Sequence, residues 1–151
     1  MSASIVLPRV KLGCRRGQAL VEFAMTSIIV LMLIFGIVEV GRIFLVYTTV
    51  TNAARIGARY AITNSTTAGA TTAVAASTIS SNVQTVVKNF LASGTVNINA
   101  AGLAINTTFP DGVTTVGNRV QVSVSYPYDV LLSYYPINIT LSGTSQGVIT
   151  W

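Results

Sequence analysis

The sequence is poor in the side chains on which most enzymes depend. It has no histidine, a single cysteine (Cys14), and only four acidic residues among 151. Without histidine, Ser-His-Asp and Cys-His catalytic arrangements are excluded, and the commonest metal ligand is missing. One cysteine allows no internal disulfide bond, and no glycine-rich phosphate loop or zinc-ligand spacing occurs. We therefore expect no enzymatic activity, no metal, no cofactor and no small-molecule substrate.

The few acidic residues of the C-terminal part do not favour catalysis either. Asp111 precedes Gly112, and Asp129 follows Pro127 and Tyr128, so both lie in turn-like contexts. Two aspartates are enough to build a paired-carboxylate site, but the ordinary role of aspartate in turns is the favoured interpretation.

The positive charge is concentrated before a long apolar segment. The formal net charge is +5, but Arg9, Lys11, Arg15 and Arg16 all precede that segment, and without these four residues it falls to +1. Basic residues beside a membrane helix hold that end of the chain in the cytoplasm. The charge therefore predicts a cytoplasmic N-terminus and an exported C-terminal part, and it gives no support for nucleic-acid binding.

The apolar segment has the length of a membrane span. No charged residue occurs from Ala24 to Val38, and extension upstream to Gln18 adds Glu22 as the only ionisable group. A helix of about twenty residues at about 1.5 Å per residue crosses a hydrocarbon core of roughly 30 Å. The sequence therefore predicts a single-pass transmembrane helix.

Glu22 is the anomaly of this segment. A carboxylate near the end of a membrane helix costs on the order of 2 to 3 kcal/mol, so it lies at the interface or has a partner. Cleavage after Gly17 would create that partner, because it exposes the α-amine of Gln18 one helical turn before Glu22. The two groups could then pair within one chain or between neighbouring subunits.

Beyond Val38 the pattern becomes amphipathic. Glu39 and Arg42 are three residues apart and can pair on one helical face. Apolar and small residues follow at steps of three and four, which predicts a stripe that lets another helix approach closely: Ile43, Val46, Val50, Ala54, Gly57 and Ala61. Arg55 and Arg59 lie beside this stripe, either as a solvated face or as a docking face for an acidic partner.

The remaining chain predicts a helix packed on a small sheet. Apolar spacing of three and four from Thr71 to Ala92 indicates a helix that Ser93 and Gly94 end. Alternating residues then indicate strands around Leu103–Thr107 and Val120–Tyr126, the latter ended by Pro127, with a turn at Asp111-Gly112. A final strand, or a hairpin turning at residues 142–145, completes an α+β fold with three or four antiparallel strands.

Three segments resemble a known family. Arg15-Arg16-Gly17, with Gln18–Phe23 after it, resembles the class III prepilin processing site, in which glycine and four further residues precede Glu-Phe or Glu-Tyr. Phe35–Arg42 and Asn52–Ala61 resemble the TadE-like pseudopilins of the tight-adherence (Tad/Flp) pilus system. The resemblance covers about a third of the chain.

The resemblance implies a minor pilin that assists assembly, or caps a type IV-like pilus used in surface adhesion. It implies cleavage between Gly17 and Gln18 by a prepilin peptidase, pairing or assembly through Glu22 and Phe23, and docking of other pilins or the Tad machinery at Ala54, Arg55, Gly57 and Arg59. The expected segments are a leader (1–17), a transmembrane and stem helix (18–62) and a periplasmic domain (63–151), anchored in the bacterial inner membrane. The competing interpretation is an unprocessed, membrane-tethered binding module, such as an adhesin or sensor.

Overall fold

The computed structural model describes residues 15–65, 74–94, 98, 102–130 and 139–150. The described residues form two helices and three strands, in the order α1 (Arg15–Asn64), α2 (Ala76–Ser93), β1 (Ala104–Thr108), β2 (Arg119–Tyr128) and β3 (Ile139–Val148). This confirms the predicted α+β class. Most of the predicted leader and most of the predicted break after Ile62 lie outside the described residues.

The chain divides into two compact units, Met1–Val38 and Glu39–Trp151, and α1 contributes to both. In the first unit, the large apolar side chains of α1 are exposed all around the helix: Phe23 is 72% and Met32 76% exposed. The hydroxyls of Thr26 and Ser27 donate to the carbonyl oxygens of Glu22 and Phe23 at 2.9 and 2.8 Å, so neither needs water. α1 is long and apolar enough to cross a membrane.

The second unit contains the sheet, whose order is β1-β2-β3 with both pairs antiparallel. The register pairs Asn106 with Ser123, and Ser123 with Thr144. On β2 the side chains of Val120, Val122 and Val124 are fully buried, and the odd-numbered residues face outward. This alternation is the period of a half-buried strand. The predicted end of this strand is wrong, because β2 continues through Pro127 to Tyr128. Proline is tolerated there because β1 pairs only as far as Ser125.

β3 resolves the choice between a strand and a hairpin at residues 142–145. It is one continuous strand that pairs with β2 along its whole length. Gly143, in the middle of β3, allows close packing and does not form a turn: a Cβ built on it would lie 2.7 Å from the Thr51 Cα. Asp111-Gly112 does form the predicted turn, in which the Gly112 N–H donates to the Phe109 carbonyl at 2.9 Å and Gly112 has a φ of +75°.

α1 and α2 cover the inner face of the sheet. Residues of α1 after Glu39 join one core with the buried face of α2 (Ile79, Val83, Val87 and Leu91) and with the valines of β2. Ala54 is fully buried. At Gly57 an added Cβ would lie 2.9 Å from Val87 Cγ2 and 3.1 Å from Val122 Cγ1. The stripe that the sequence predicts as a surface for a partner helix is thus covered by the chain's own α2 and β2.

We expect Gly57→Leu to destabilise the second unit by about 1–3 kcal/mol or more, because Val83, Val87 and Val122 leave no room for a side chain. Thermal unfolding of the detergent-solubilised protein, followed by near-ultraviolet circular dichroism, measures the loss. Gly41→Leu is the matched control, since a Cβ at Gly41 on the same helix meets nothing within 4 Å. Equal melting temperatures for the two variants would contradict the described packing.

Candidate functional site

The residues predicted for processing lie at the beginning of α1 and are exposed. Gly17, Gln18, Glu22 and Phe23 all have open side-chain surroundings, and a Cβ at Gly17 would meet nothing within 4 Å. Gln18 and Glu22 are four residues apart on one helix, so they face the same side. Within the described residues, no side-chain donor lies within hydrogen-bond distance of the Glu22 carboxylate. The geometry thus leaves this carboxylate open to a partner.

Three side chains meet where the second unit begins, and we call them the Glu39 cluster: Glu39, Arg42 and Tyr128. Arg42 Nη1 donates to Glu39 Oε2 at 3.1 Å, which confirms the predicted pair. The Tyr128 hydroxyl donates to Glu39 Oε1 at 2.9 Å, and Arg42 Cζ lies 5.5 Å from the centre of the Tyr128 ring. The end of β2 is therefore tied to the residue of α1 that directly follows the apolar segment.

The Glu39 cluster is more buried than an ordinary surface ion pair. The side chain of Glu39 is only 14% exposed and Tyr128 is 3% exposed, whereas that of Arg42 remains 41% exposed. Burial, together with the hydrogen bond to Glu39, raises the pKa of Tyr128 above its ordinary value. Both oxygens of the carboxylate have partners, which offsets the cost of removing its charge from water.

Sequence reasoning found Glu39 and Arg42 but missed Tyr128. Every second side chain of β2 lies on the inner face of the sheet, and this alternation continues through Tyr126 to Tyr128. The predicted strand ended at Pro127, so the prediction did not include Tyr128. Even a longer alternating pattern would predict only the face of the sheet on which Tyr128 lies. It would not predict that its hydroxyl bonds to Glu39, which is 89 positions away in the chain.

Arg55 and Arg59 are exposed on α1 in the second unit. Among the described residues, no acidic side chain forms an ion pair with either guanidinium, since the described ion pairs are Glu39–Arg42 and Asp111–Arg119. Ala54 and Gly57, which the sequence groups with them, are buried. Of the four residues predicted for partner docking, only the two arginines offer side chains to a partner.

Asp111 serves the loop between β1 and β2. Its carboxylate accepts hydrogen bonds from the Arg119 guanidinium at 2.8 and 3.2 Å and from the Arg119 backbone N–H at 2.8 Å. These bonds hold the pKa of Asp111 below its ordinary value, so the group stays ionised. Such a carboxylate is a poor general acid, and its partners give it a structural role.

The fold and the one long apolar helix among the described residues are consistent with a single-pass membrane protein of the α+β class. Residues 17–59 match the family model described as TadE-like protein, and this confirms the resemblance carried by the N-terminal motifs. TadE-like proteins are structural and pilus-associated, and the family is not enzymatic. Comparisons with curated proteins and with solved structures gave no match.

We expect Tyr128→Phe to lower the free energy of unfolding by about 1–3 kcal/mol, because it removes a hydrogen bond to a charged, nearly buried carboxylate. Tyr47→Phe, at an exposed position on α1, is the control and should change little.

Because the folded-state pKa of Tyr128 is raised, its contribution to the free energy of unfolding is present below the ordinary pKa of 10.0 and is lost as pH rises through the folded-state value. The stability difference between wild type and Tyr128→Phe should thus begin to shrink as pH rises above about 10; a difference that stays constant would count against the bond.

Proposed function

We propose that this protein is a TadE-like minor pseudopilin that assists the assembly of a Tad/Flp type IV-like pilus, or caps it. The observation that carries the proposal is the match of residues 17–59 to the TadE-like family, which includes Gly17–Phe23 of the processing motif and the apolar segment after it. The pilus would serve surface adhesion. A domain of this size on the helix favours a minor subunit over a major pilin that is little more than the helix.

In the proposed pathway, the precursor inserts into the inner membrane with its basic N-terminus in the cytoplasm and its domain in the periplasm. A prepilin peptidase then cuts between Gly17 and Gln18. The open surroundings of Gly17 support this step, because the enzyme must bring its catalytic groups close to the backbone. Cleavage also removes the four leader cations and leaves a nearly neutral chain.

After cleavage, Glu22 pairs with the new α-amine of Gln18, in the same chain or in a neighbouring pilin. Phe23 and the other exposed apolar side chains of α1 pack against the helices of other subunits as these leave the lipid. This accounts for a carboxylate that the described residues leave without a donor. Arg55 and Arg59 provide the docking surface of the second unit for the pilins or the secretion machinery.

We expect Gly17→Leu to leave the full-length precursor in the membrane, because a bulky side chain blocks the approach of the peptidase to the scissile bond. Mass spectrometry of the N-terminus in the native host distinguishes Met1 from Gln18. Gly36→Leu is the matched control: its surroundings are equally open, it lies on the same helix, and it should be processed normally. Normal trimming of Gly17→Leu would contradict the proposed role of Gly17, whereas an uncut wild-type chain would favour the unprocessed, membrane-tethered binding module.

We expect Glu22→Gln to be cleaved but not incorporated into pili. Glutamine keeps the shape of the side chain and removes the charge that offsets the Gln18 ammonium, at a cost of about 3–5 kcal/mol where that ammonium is fully buried. Processed protein and pilus-bound protein are quantified in the same strain. Glu22→Asp, which keeps the charge, should restore part of the incorporation. Accumulated precursor would assign Glu22 to peptidase recognition, and normal incorporation of Glu22→Gln would end the pairing hypothesis.

A further inference from the structure

β3 forms one edge of the sheet, and no described strand pairs with its outer side. The Ile149 N–H donates to the Asn118 carbonyl at 2.9 Å, which fixes which backbone groups point toward β2. Because these groups alternate in direction along an antiparallel strand, those of the even-numbered residues point to the outer edge. Five residues therefore offer an N–H and a C=O there: Thr140, Ser142, Thr144, Gln146 and Val148.

The two edges of the sheet differ in how they are protected. β3 has ten residues, none of them charged and none proline. β1 has only five residues, Pro110 follows shortly after it, and Lys88 of α2 lines a shallow pocket beside its first residues. Short length, proline and lysine are the usual means by which proteins keep foreign strands from an edge. Within its ten residues β3 is long and has neither proline nor lysine, so its edge is suited to accept a strand.

The face of α1 nearest to β3 continues into a basic flank. Gly57 faces α2, while Thr51 and Ile62 pack against the glycines of β3. At about 100° per residue, Arg55 follows on the same ridge as Thr51 and Ile62, on the side away from α2. Arg59 lies one turn further on. Both guanidiniums are exposed, so positive charge borders the outer edge of β3.

We propose that the outer edge of β3 binds an extended acidic segment of a partner protein by β-strand addition, with the acidic side chains of that segment pairing with Arg55 and Arg59. Backbone hydrogen bonds to the five outward residues supply the affinity that any strand would share. The two arginines supply the selection for aspartate or glutamate, as charge-assisted hydrogen bonds do. This inference rests on the proposed docking role of these arginines. It adds how the partner binds, which is by β-strand addition, and which side chains the partner offers, which are aspartate or glutamate.

A second copy of this chain does not fit the same edge. α1 packs against both β3 and β2 and runs in the same direction as β3, since Thr51 meets Gly143, Ile62 meets Gly147 and Gly57 faces Val122. Antiparallel pairing of two β3 strands would bring Arg55 and Arg59 of both copies to one edge, where their like charges repel each other. A single extended acidic segment meets no such repulsion.

The probe is an acetylated and amidated octapeptide in which threonine alternates with glutamate, so that all four glutamates face one side of the strand. Fluorescence anisotropy measures its binding to the full-length protein in detergent, and hydrogen exchange measures the protection of β3 amides. We expect binding with new protection at the even-numbered residues of β3. The corresponding threonine-lysine peptide should bind at least tenfold more weakly.

Two variants separate the backbone contribution from the charge contribution. Thr144→Pro removes an outward N–H without touching the ladder to β2, and we expect it to abolish binding while the melting temperature stays near that of wild type. If this variant unfolds, the same peptide methylated at alternate amides replaces it. Arg55→Ala should weaken binding about two- to fivefold, the size of one exposed ion pair. Lys88→Ala is the matched control, an exposed cation beside β1, and should not change binding.

Three outcomes would overturn the inference. They are no binding of the acidic peptide at millimolar concentration, equal binding of the lysine peptide, and binding that Arg55→Ala and Thr144→Pro both leave unchanged. Self-association of the chain that Thr144→Pro abolishes would assign the edge to a second copy. Because the assay uses purified protein, its failure leaves the processing and incorporation experiments on Gly17 and Glu22 unaffected, and the two proposals fail separately.

Discussion

The structure depends on one helix that must satisfy two different surroundings. Up to Val38, α1 exposes large apolar side chains in every direction, and such a surface is stable only in lipid or against other apolar helices. From Val46 onward, one face of the same helix is buried in the domain core and the other carries arginines. The small residues of the buried face allow the sheet and α2 to approach within van der Waals contact. The part of α1 from Val46 onward therefore belongs to the core of the second unit.

The change of surroundings explains why the Glu39 cluster lies where it does. Between an apolar segment and an aqueous domain, a charged pair is least costly at the boundary, where Arg42 keeps part of its side chain in solvent. Tyr128 contributes a ring for the guanidinium and a hydroxyl for the carboxylate, so one residue of β2 satisfies both partners. These contacts of Tyr128 depend on direction, so they fix the orientation of the end of β2 on α1. Packing of the valine core sets mainly the distance between the sheet and α1.

Local pattern was enough to predict α1, α2, β2 and the Glu39–Arg42 pair, because each depends on residues close in sequence. It failed where a residue's role is set by a distant neighbour. Gly143 looks like a turn residue until Thr51 is known to lie against it, and the small stripe at Ala54 and Gly57 looks like an interface until α2 is known to cover it. Tyr128 was missed for the same reason. The roles of Gln18, Glu22 and Phe23 stay predictions, since each concerns a partner that a single chain does not contain.

The sparse charge of this chain also determines how its surface can be selective. Glu39 and Asp111 are already paired, so the positive charge of Arg55 and Arg59 is not offset by a described neighbour. Exposed ion pairs alone contribute only about 0–1 kcal/mol, too little for a specific complex. Backbone pairing along a strand edge is stronger in sum, but it does not distinguish one sequence from another. Backbone pairing at the edge of β3 supplies affinity, and Arg55 and Arg59 supply selectivity. A selective contact at this part of the domain therefore requires the edge of β3 and the two arginines to act on the same segment.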